Sequence, residues 1–510
     1  MVRTRHLRRG QEVTYSWAKT RENNLLIALD DYDQTRRYFN RFIEHSALIQ
    51  QAVAHHLGIS PKECELDEAS NWMSGSYNLC IPVLVRGQKQ VLMRFPILHR
   101  VGESFRPGNA DEKIQCEAGT YAWLKENCSS VPVPRLYGFA LSTGQTYTAA
   151  ENLPWLPRYF HYIRCRILKL FGHETPSSYV RHQGPCVSNE LNIGYLLIEY
   201  INKSDATMLS SSWEAMRHNK HLRTNLFKGL SRILLNVAKV PVPRIGSYII
   251  DDNGFVVLAN RPLSMEIHEL ESQHIPVNIP RDKTYSSVDS YVIDTLAFHD
   301  NRLIHQPNAL NDPEDGAYQA AALAAMRTVA MQFFKHGLRC GPFVYVLNDL
   351  HQSNILVDEE WNIKYLIDLE WACSRPIEML HPPHWLTSQA VDMIDVNLFT
   401  SVHQEFTSIM QQEESDIYKD TTISLSDVMN QGWESKTFWY ALALTSPTGI
   451  FAIFFDRIRP MFAKYKESAF IEMMHRYWIS DVGSFLEKKM EDKAAYDLRL
   501  QEEFDVYPAT

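Results

Sequence analysis

The pattern of hydrophobic and polar positions divides the chain into a strand-rich first part and a helix-rich second part. From Asp30 to Leu57, apolar residues recur near the 3.6-residue period of a helix. Short apolar runs separated by turn residues come next, which is typical of antiparallel strands. The predicted elements after the first helix are a hairpin turn at Gly75-Ser76-Tyr77-Asn78, strands at 81–85 and 91–95, a helix over 111–127 and a buried strand at 196–198.

The second part has mainly helical periodicity. Its clearest helices are predicted over 222–240 and 315–336, and a hairpin is predicted around the turn residues 251–254. The stretch from Thr437 to Phe455 carries no charge and meets the length of a membrane span. Because Pro447 lies near its middle and would break a helix, we expect two short buried helices instead of a span.

Composition narrows the classes of function. The 510 residues are 45% hydrophobic and 22% charged, as in ordinary folded proteins, and the formal net charge is −9. A net negative chain is a poor match for a phosphate backbone, so nucleic acid is not expected as a partner. The eight cysteines are dispersed without a C-x-x-C pair, which favours a reducing, intracellular compartment, with the cytoplasm as the simplest location.

The first eleven residues are basic and contain no acid. No apolar run of signal-peptide length follows them, so secretion is not expected. We interpret them as a disordered basic tail, and a mitochondrial or nuclear address is the alternative.

The stretch from Phe343 to Trp371 carries the strongest chemical signal. Two apolar strands bracket a polar loop that holds Asp349 and, five residues on, Asn354, and the second strand ends on Asp368. We expect these three side chains to converge at the mouth of a buried hairpin. An Asp that accepts a hydroxyl proton, with an Asn and a second Asp holding Mg²⁺ against nucleotide phosphates, is the minimum of a phosphoryl-transfer site. Either piece alone arises by chance in loops, whereas the combination is specific.

The loop Asp349-Leu350-His351-Gln352-Ser353-Asn354-Ile355-Leu356 resembles the catalytic loop of the aminoglycoside phosphotransferase and choline kinase group, and fungal members of that group most closely. The resemblance covers roughly residues 65–480. It implies the protein-kinase-like superfold, an α+β bilobal fold with an antiparallel-sheet small lobe and a mainly helical large lobe.

This resemblance implies a division into three parts. Residues 1–60 are an N-terminal basic tail and helix, and residues 61–201 are a small nucleotide-binding lobe with an insertion at about 151–190. Residues 202–510 are a helical large lobe that contains a catalytic hairpin over 343–371.

The resemblance also assigns nucleotide-binding residues. In the family, a glycine turn covers the phosphates, a strand cation pairs with a helix carboxylate beside them, and backbone groups of an inter-lobe hinge hold adenine. The matching positions here are Gly75, Ser76, Tyr77 and Asn78 for the turn, Arg94 and Glu117 for the pair, and Ile198 and Tyr200 for the hinge. Without the family, these features are equally an ordinary hairpin turn, a surface ion pair and the end of a buried strand.

Two positions depart from the family pattern. Arg94 stands where a Lys is usual, and a guanidinium is forked and bulkier than an ammonium. Leu347 and Asn348 precede the catalytic Asp where His-Gly is usual, which we expect to change loop packing without removing the proton acceptor.

The predicted function is ATP- and Mg²⁺-dependent phosphorylation of a hydroxyl on a small molecule, with Asp349 as the catalytic base and Asn354 and Asp368 as metal ligands. A protein substrate is disfavoured, because Asp368-Leu369-Glu370-Trp371 replaces Asp-Phe-Gly. The alternative is a pseudokinase, a nucleotide-binding scaffold without turnover. The departures at Arg94 and at 347–348 favour it, and the presence of all three candidate site residues argues against it.

The insertion over about 151–190 contains an unusual segment. Between Trp155 and Phe171 it combines aromatic and apolar residues with four cations and no acid. On a helix, one face would hold Phe160, Ile163, Ile167, Leu170 and Phe171. The simpler interpretation is a helix packed on the small lobe with its cations in solvent. The alternative is a peripheral contact with an anionic membrane or with a protein.

Overall fold

The computed structural model describes residues 3–184, 190–417 and 423–505. The predicted α+β class is confirmed, since an antiparallel-sheet small lobe precedes a mainly helical large lobe in a bilobal arrangement. The strands are β1 (Thr4–His6), β2 (Glu12–Thr14), β3 (Cys64–Leu66), β4 (Met73–Ser74), β5 (Asn78–Val85), β6 (Lys89–Pro96), β7 (Leu136–Ala140), β8 (Thr146–Ala149), β9 (Tyr179–Arg181), β10 (Tyr195–Glu199), β11 (Thr207–Met208), β12 (Pro241–Val242), β13 (Ser247–Ile250), β14 (Val256–Asn260), β15 (Phe343–Val346), β16 (Ile355–Val357), β17 (Ile363–Leu366) and β18 (Cys373–Pro376). The α-helices are α1 (Tyr15–Lys19), α2 (Leu25–Glu44), α3 (Ser46–Leu57), α4 (Asn109–Asn127), α5 (Trp155–Leu170), α6 (Trp213–Met216), α7 (Lys220–Ala238), α8 (Met265–Ser272), α9 (Val288–His305), α10 (Pro313–Val329), α11 (Val396–Ile417), α12 (Leu425–Glu434), α13 (Thr437–Leu444), α14 (Ile450–Ile453), α15 (Arg459–Phe462), α16 (Glu467–Met474) and α17 (Val482–Asp505).

The small lobe is built on one antiparallel sheet in the order β3-β5-β6-β10-β7-β8-β9, with β4 beside β5. Side chains alternate between its two faces, as the two-residue period of a strand requires. On β6, Met93 and Phe95 join the core against α2 and α3, whereas Arg94 reaches Glu117 of α4 on the other face. This alternation places Arg94 on the side of the sheet that faces the large lobe.

The predicted helix over 30–57 is two helices, α2 and α3, which meet at His45. The Nδ1 atom of His45 lies 2.7 Å from the carbonyl oxygen of Arg41, in the last turn of α2. Phe42 and Ile49, on either side of the break, are both buried in the same core. The apolar period therefore continues across a change of helix, which explains why it predicts a single one.

The expectation of a disordered basic tail is wrong for the described residues from Arg3 onward. β1 and β2 pair with each other, and the segment packs against the C-terminal helix α17. Arg5 forms a 2.6 Å salt bridge with Glu503, and the Tyr496 hydroxyl accepts a hydrogen bond from the Leu25 backbone N–H. The partners that order this segment come from the opposite end of the chain.

The uncharged stretch from Thr437 to Phe455 folds as expected into short buried helices. α13 ends at Leu444 and α14 begins at Ile450, with Pro447 between them. Within the residues that the structure describes, no helix is long and apolar enough to cross a membrane.

The predicted hairpin over 343–371 is two nested antiparallel pairs. β15 pairs with β18, and β16 pairs with β17 inside them. The loop over 347–354 therefore connects two different three-stranded sheets, β12-β15-β18 and β11-β16-β17. This crossing fixes both ends of the loop.

The insertion over 151–190 is helical at its centre, as predicted, through α5. Its later part returns to the sheet, because β9 pairs with β8 at the edge. Residues 185–189, which include Cys186, lie outside the described residues, and the seven described cysteines form no disulfide.

Candidate active site

The loop over 347–354 brings together the first two predicted site residues. The side-chain Nδ2 of Asn354 donates to Asp349 Oδ2 at 2.8 Å and to the Asp349 backbone oxygen at 3.0 Å. The five-residue spacing works because the loop doubles back between β15 and β16. Asp349 is partly exposed, so its carboxylate is held by the amide and still open to a reactant.

Asn348, which in the sequence stands out as a departure from the family pattern, is a positioning residue of the loop. Its Nδ2 donates to the Trp371 backbone oxygen at 2.6 Å and contacts Cys373 Sγ at 3.0 Å. On the other side, the indole of Trp385 donates to the Leu350 backbone oxygen at 2.7 Å. These contacts hold the loop between β18 and the segment that follows it.

Asp368 follows β17 and lies beside the loop. The Ile367 backbone N–H donates to the Asn354 backbone oxygen at 3.0 Å, and Asp368 and Asp349 line the same small cavity. Asp368 has a left-handed backbone, with φ of +59°, a conformation that Asp tolerates better than most residues. The three residues predicted to converge do lie together, and the Asp368 side chain is 37% exposed.

Arg94 connects three carboxylates. Its Nη1 donates to Glu117, and its Nη2 donates to Asp368 Oδ1 at 2.5 Å and to Glu370 Oε2 at 3.1 Å. The predicted contact between Arg94 and Glu117 is therefore present. It is a buried ion pair and not the surface ion pair considered as its alternative, since the two side chains are 2% and 0% exposed. With its donors used in this way, Arg94 orients Asp368.

Lys113 and Glu370 complete this network, and neither is among the site residues predicted from the sequence. Lys113 Nζ lies 3.1 Å from Glu370 Oε1 and 2.7 Å from Asn78 Oδ1, and Asn78 Nδ2 donates to Glu370 at 2.9 Å. The signals were weak but present. Lys113 precedes Glu117 by one helical turn, and Glu370 follows Asp368 by two residues.

In the glycine turn over 75–78, the first two residues face solvent and the last two face the site. Gly75 and Ser76 are exposed, and the Gly75 backbone N–H donates to the Asn78 backbone oxygen at 2.9 Å. Tyr77 packs edge-on against Trp371, with ring centroids 5.2 Å apart. The structure thus brings Tyr77 and Asn78 to the network and leaves the first two residues at its outer edge, so their contact with phosphates stays a prediction.

The two predicted hinge residues differ in position. Ile198 is inside β10, paired with Leu92 on one side and Leu136 on the other, so its backbone groups belong to the sheet. Tyr200 follows the last residue of that strand. Adenine binding by either residue remains a prediction, and Tyr200 has the backbone that lies outside the ladder.

Negative charge is compensated unevenly across the site. Burial alone would raise the pKa of Glu370, but the positive charges of Lys113 and Arg94 lower it to about 2. Burial and the charges of Glu370 and Asp368 instead raise the pKa of Asp349 to about 8. An additional positive charge near Asp349 and Asp368 would stabilise both carboxylates.

The donor set fits a magnesium ion. Since the Asn354 amide nitrogen is used by Asp349, its side-chain oxygen is the atom available to a cation. Among the described residues, no three His, Cys, Asp or Glu side chains are grouped as a metal site. Mg²⁺ typically takes only one or two protein ligands and completes its shell with phosphate oxygens and water, so Asn354 and Asp368 suffice.

A cavity of about 400 Å³ opens beside the loop. Asp349 and His351 line one side of this cavity. Its walls also include the carboxylates of Glu266 and Glu269 and the guanidinium of Arg375. This volume is in the range of pockets that take small molecules. A reactant in the cavity would therefore reach the Asp349 carboxylate.

No protein-family model and no curated protein matches the chain, but solved structures do. A macrolide 2'-phosphotransferase from Brachybacterium faecium is 12% identical, with a TM-score of 0.33, over 79% of this chain and 94% of that one. An ethanolamine kinase from Plasmodium vivax is 11% identical, with a TM-score of 0.37, over 84% of this chain and 85% of that one. Both names describe transfer of phosphate to a small molecule.

Proposed function

We propose that this protein is an ATP- and Mg²⁺-dependent phosphotransferase that acts on a hydroxyl group of a small molecule. The observation that carries the proposal is the grouping of Asp349, Asn354 and Asp368, with Asp349 at the wall of a 400 Å³ cavity. Positioning and charge neutralisation supply most of the catalysis in phosphoryl transfer, and these residues provide both.

Each residue has a separate task in this proposal. Asp349 orients the acceptor hydroxyl and takes its proton, while Asn354 holds the Asp349 carboxylate in place. Arg94 orients Asp368, and the Asn354 oxygen and Asp368 would hold the metal. Bound Mg²⁺ would neutralise charge on the phosphates.

The cavity supports a small polar acceptor. It has two carboxylates, Glu266 and Glu269, and the guanidinium of Arg375 among apolar and aromatic side chains. Such a wall suits a compact molecule that has polar groups besides the reacting hydroxyl.

One observation favours the pseudokinase alternative. Arg94, at the position where the family usually presents a cation to phosphates, is engaged by three carboxylates. A protein with this network could bind nucleotide and not turn it over. A measurement of transfer has to separate the two functions.

The test combines labelled ATP, Mg²⁺ and fractions of a small-molecule extract, with the labelled product identified by mass spectrometry. We expect a phosphorylated small molecule with the wild type and none with Asp349→Asn. Asp282→Asn, which changes an exposed Asp away from the site, is the matched control and should keep the wild-type rate. Nucleotide binding without any transferred label, across all fractions, would contradict the enzyme and support the scaffold.

A further inference from the structure

Helix α5 exposes a broad, mainly apolar face to solvent. Trp155, Phe160, Leu170 and Phe171 are 71%, 61%, 82% and 70% exposed. Other large side chains that are at least 45% exposed lie among them, at Leu156, Tyr159, Tyr162 and Ile167. On the surface of a soluble protein, large apolar residues usually occur singly, so a group of them on one face marks an interaction site.

The opposite face of α5 meets the protein. His161 is buried, and Cys165, one turn later, has its Sγ 4.0 Å from the Pro176 backbone oxygen. At 100° per residue, these two positions lie opposite the arc centred on Tyr159, Ile163 and Leu170. The apolar face that the sequence predicts for α5 is therefore the outward one, and the helix packs on the protein through its other side. Periodicity shows which residues share a face but not which face is buried.

The same helix concentrates positive charge. Arg158, Arg164, Arg166 and Lys169 lie on it, and no acid occurs between 155 and 171, although the chain has a net charge of −9. Arg166 and Lys169 form no salt bridge with any residue that the structure describes. Long cationic side chains can lie along an apolar surface and reach its polar boundary.

We propose that α5 docks flat on an anionic lipid bilayer, with its apolar arc in the headgroup and upper acyl region and its cations at the phosphates. An apolar arc with flanking cations and interfacial Trp and Tyr is the pattern of a peripheral amphipathic helix. At 1.5 Å per residue, α5 offers about 24 Å of such a face. Each Lys or Arg near an anionic leaflet adds electrostatic attraction, which salt weakens.

Charge favours lipid over the other occupants of such a face. A second copy of this chain, docked through the same surface, would bring four further cations against the first four. A protein partner would have to supply an apolar groove rimmed with acid along the whole helix. An anionic bilayer supplies apolar depth and negative charge together.

The experiment uses the full chain and sedimentation with vesicles of phosphatidylcholine alone or with 30% phosphatidylserine. We expect binding to the mixed vesicles, weaker binding at high salt, and little binding to phosphatidylcholine. The variant Phe160→Ser with Leu170→Ser, and separately Arg166→Glu with Lys169→Glu, should each lower binding at least tenfold. The control Tyr477→Ser changes an exposed residue, 77% accessible, on another surface and should bind as the wild type does.

Because the mutated side chains are exposed, the variants should keep the wild-type melting temperature. A change in vesicle binding then reports on the surface of α5 and not on folding. Wild type that fails to bind the mixed vesicles at low salt overturns the proposal. So does equal binding by the charge-reversal variant. A dimer in sedimentation that the Phe160 and Leu170 changes abolish, without vesicle binding, would instead identify a second copy as the occupant.

Discussion

Arg94 Nη2 and Asp368 Oδ1 are 2.5 Å apart although 274 residues separate them in the chain. The contact joins β6 of the small lobe to the segment after β17 of the large lobe. The same guanidinium binds Glu117 and Glu370, so one side chain sets the position of a proposed metal ligand relative to both lobes.

We expect Arg94→Ala to destabilise the fold by about 3–5 kcal/mol, because removing one member of a buried ion network leaves its partners uncompensated. Arg94→Lys should recover only part of this loss. It restores the positive charge, but an ammonium cannot bind three carboxylates with the geometry of a guanidinium fork. Urea unfolding measures both. The matched control is Arg86→Ala, which removes an exposed 2.8 Å pair with Glu63 and should cost less than about 1 kcal/mol. Equal effects at 94 and 86 would contradict the network.

Asp368→Ala should weaken binding of Mg²⁺-nucleotide at least tenfold, while Asp349→Asn should leave it within about twofold and lower the transfer rate by 10²–10⁴. The reason is that the first change removes a proposed metal ligand and the second removes the proton acceptor. Titration calorimetry with a non-hydrolysable nucleotide, with and without Mg²⁺, gives the affinities. Equal loss of affinity in both variants would show that the roles are assigned incorrectly.

Part of this site could be predicted from the sequence because its signals are local. The spacing of Asp349, Asn354 and Asp368 between apolar strands, and the order of Arg94 before Glu117, lie within short segments. The convergence of Asp349, Asn354 and Asp368 followed from the strands that bracket the loop, whereas the roles of Arg94 and Glu117 followed from the resemblance.

The missed contacts depend on packing between distant segments. Lys113 and Glu370 acquire their roles because α4 of the small lobe and the segment after β17 of the large lobe come into contact in the folded chain. The N-terminal hairpin is ordered by α17, and the outward face of α5 depends on what covers its other side. Neither propensity nor periodicity includes that information.

Asn348→Ala should lower kcat about tenfold and leave the KM for ATP unchanged, because Asn348 positions the loop that holds Asp349 and touches no proposed nucleotide ligand. The lost hydrogen bond should reduce stability by about 1 kcal/mol. Steady-state kinetics at saturating acceptor separate the two parameters. A rise in KM with unchanged kcat would mean that the loop is positioned by other contacts.

Gly119→Ala should destabilise the protein and disturb the site together. A Cβ at this position of α4 would lie 2.1 Å from the Tyr248 backbone oxygen of β13, so the helix that carries Lys113 and Glu117 must shift. Gly432→Ala, on α12, is the matched control because its nearest atom would be 3.9 Å away. That change should be neutral or stabilise by up to about 1 kcal/mol. Thermal melting of the two variants tests the contrast, and similar melting temperatures would contradict it.

A second buried cluster makes acid stability depend on Glu112. Its carboxylate accepts from Arg261 at 2.8 Å, from Asn260 at 2.9 Å and from Arg281 at 3.1 Å. Burial alone would raise the pKa of Glu112, but Arg261 lowers it to about 2 from an ordinary 4.5. Nearby His268 is buried, which lowers its pKa to about 4, so it is neutral at pH 7.

The sign of the pH effect follows from the lowered pKa. Above pH 4.5 the Glu112 carboxylate is ionised in both states and contributes about 3 kcal/mol of stability, which is lost as the pH falls from about 4.5 to about 2. His268 acts in the same direction, because acid must protonate it on unfolding. Glu112→Gln should therefore lower stability at pH 7 and flatten its decline in acid, whereas exposed Glu360→Gln should change neither. Urea unfolding between pH 7 and pH 3 measures this, and an unchanged acid slope in Glu112→Gln would exclude this carboxylate as its source.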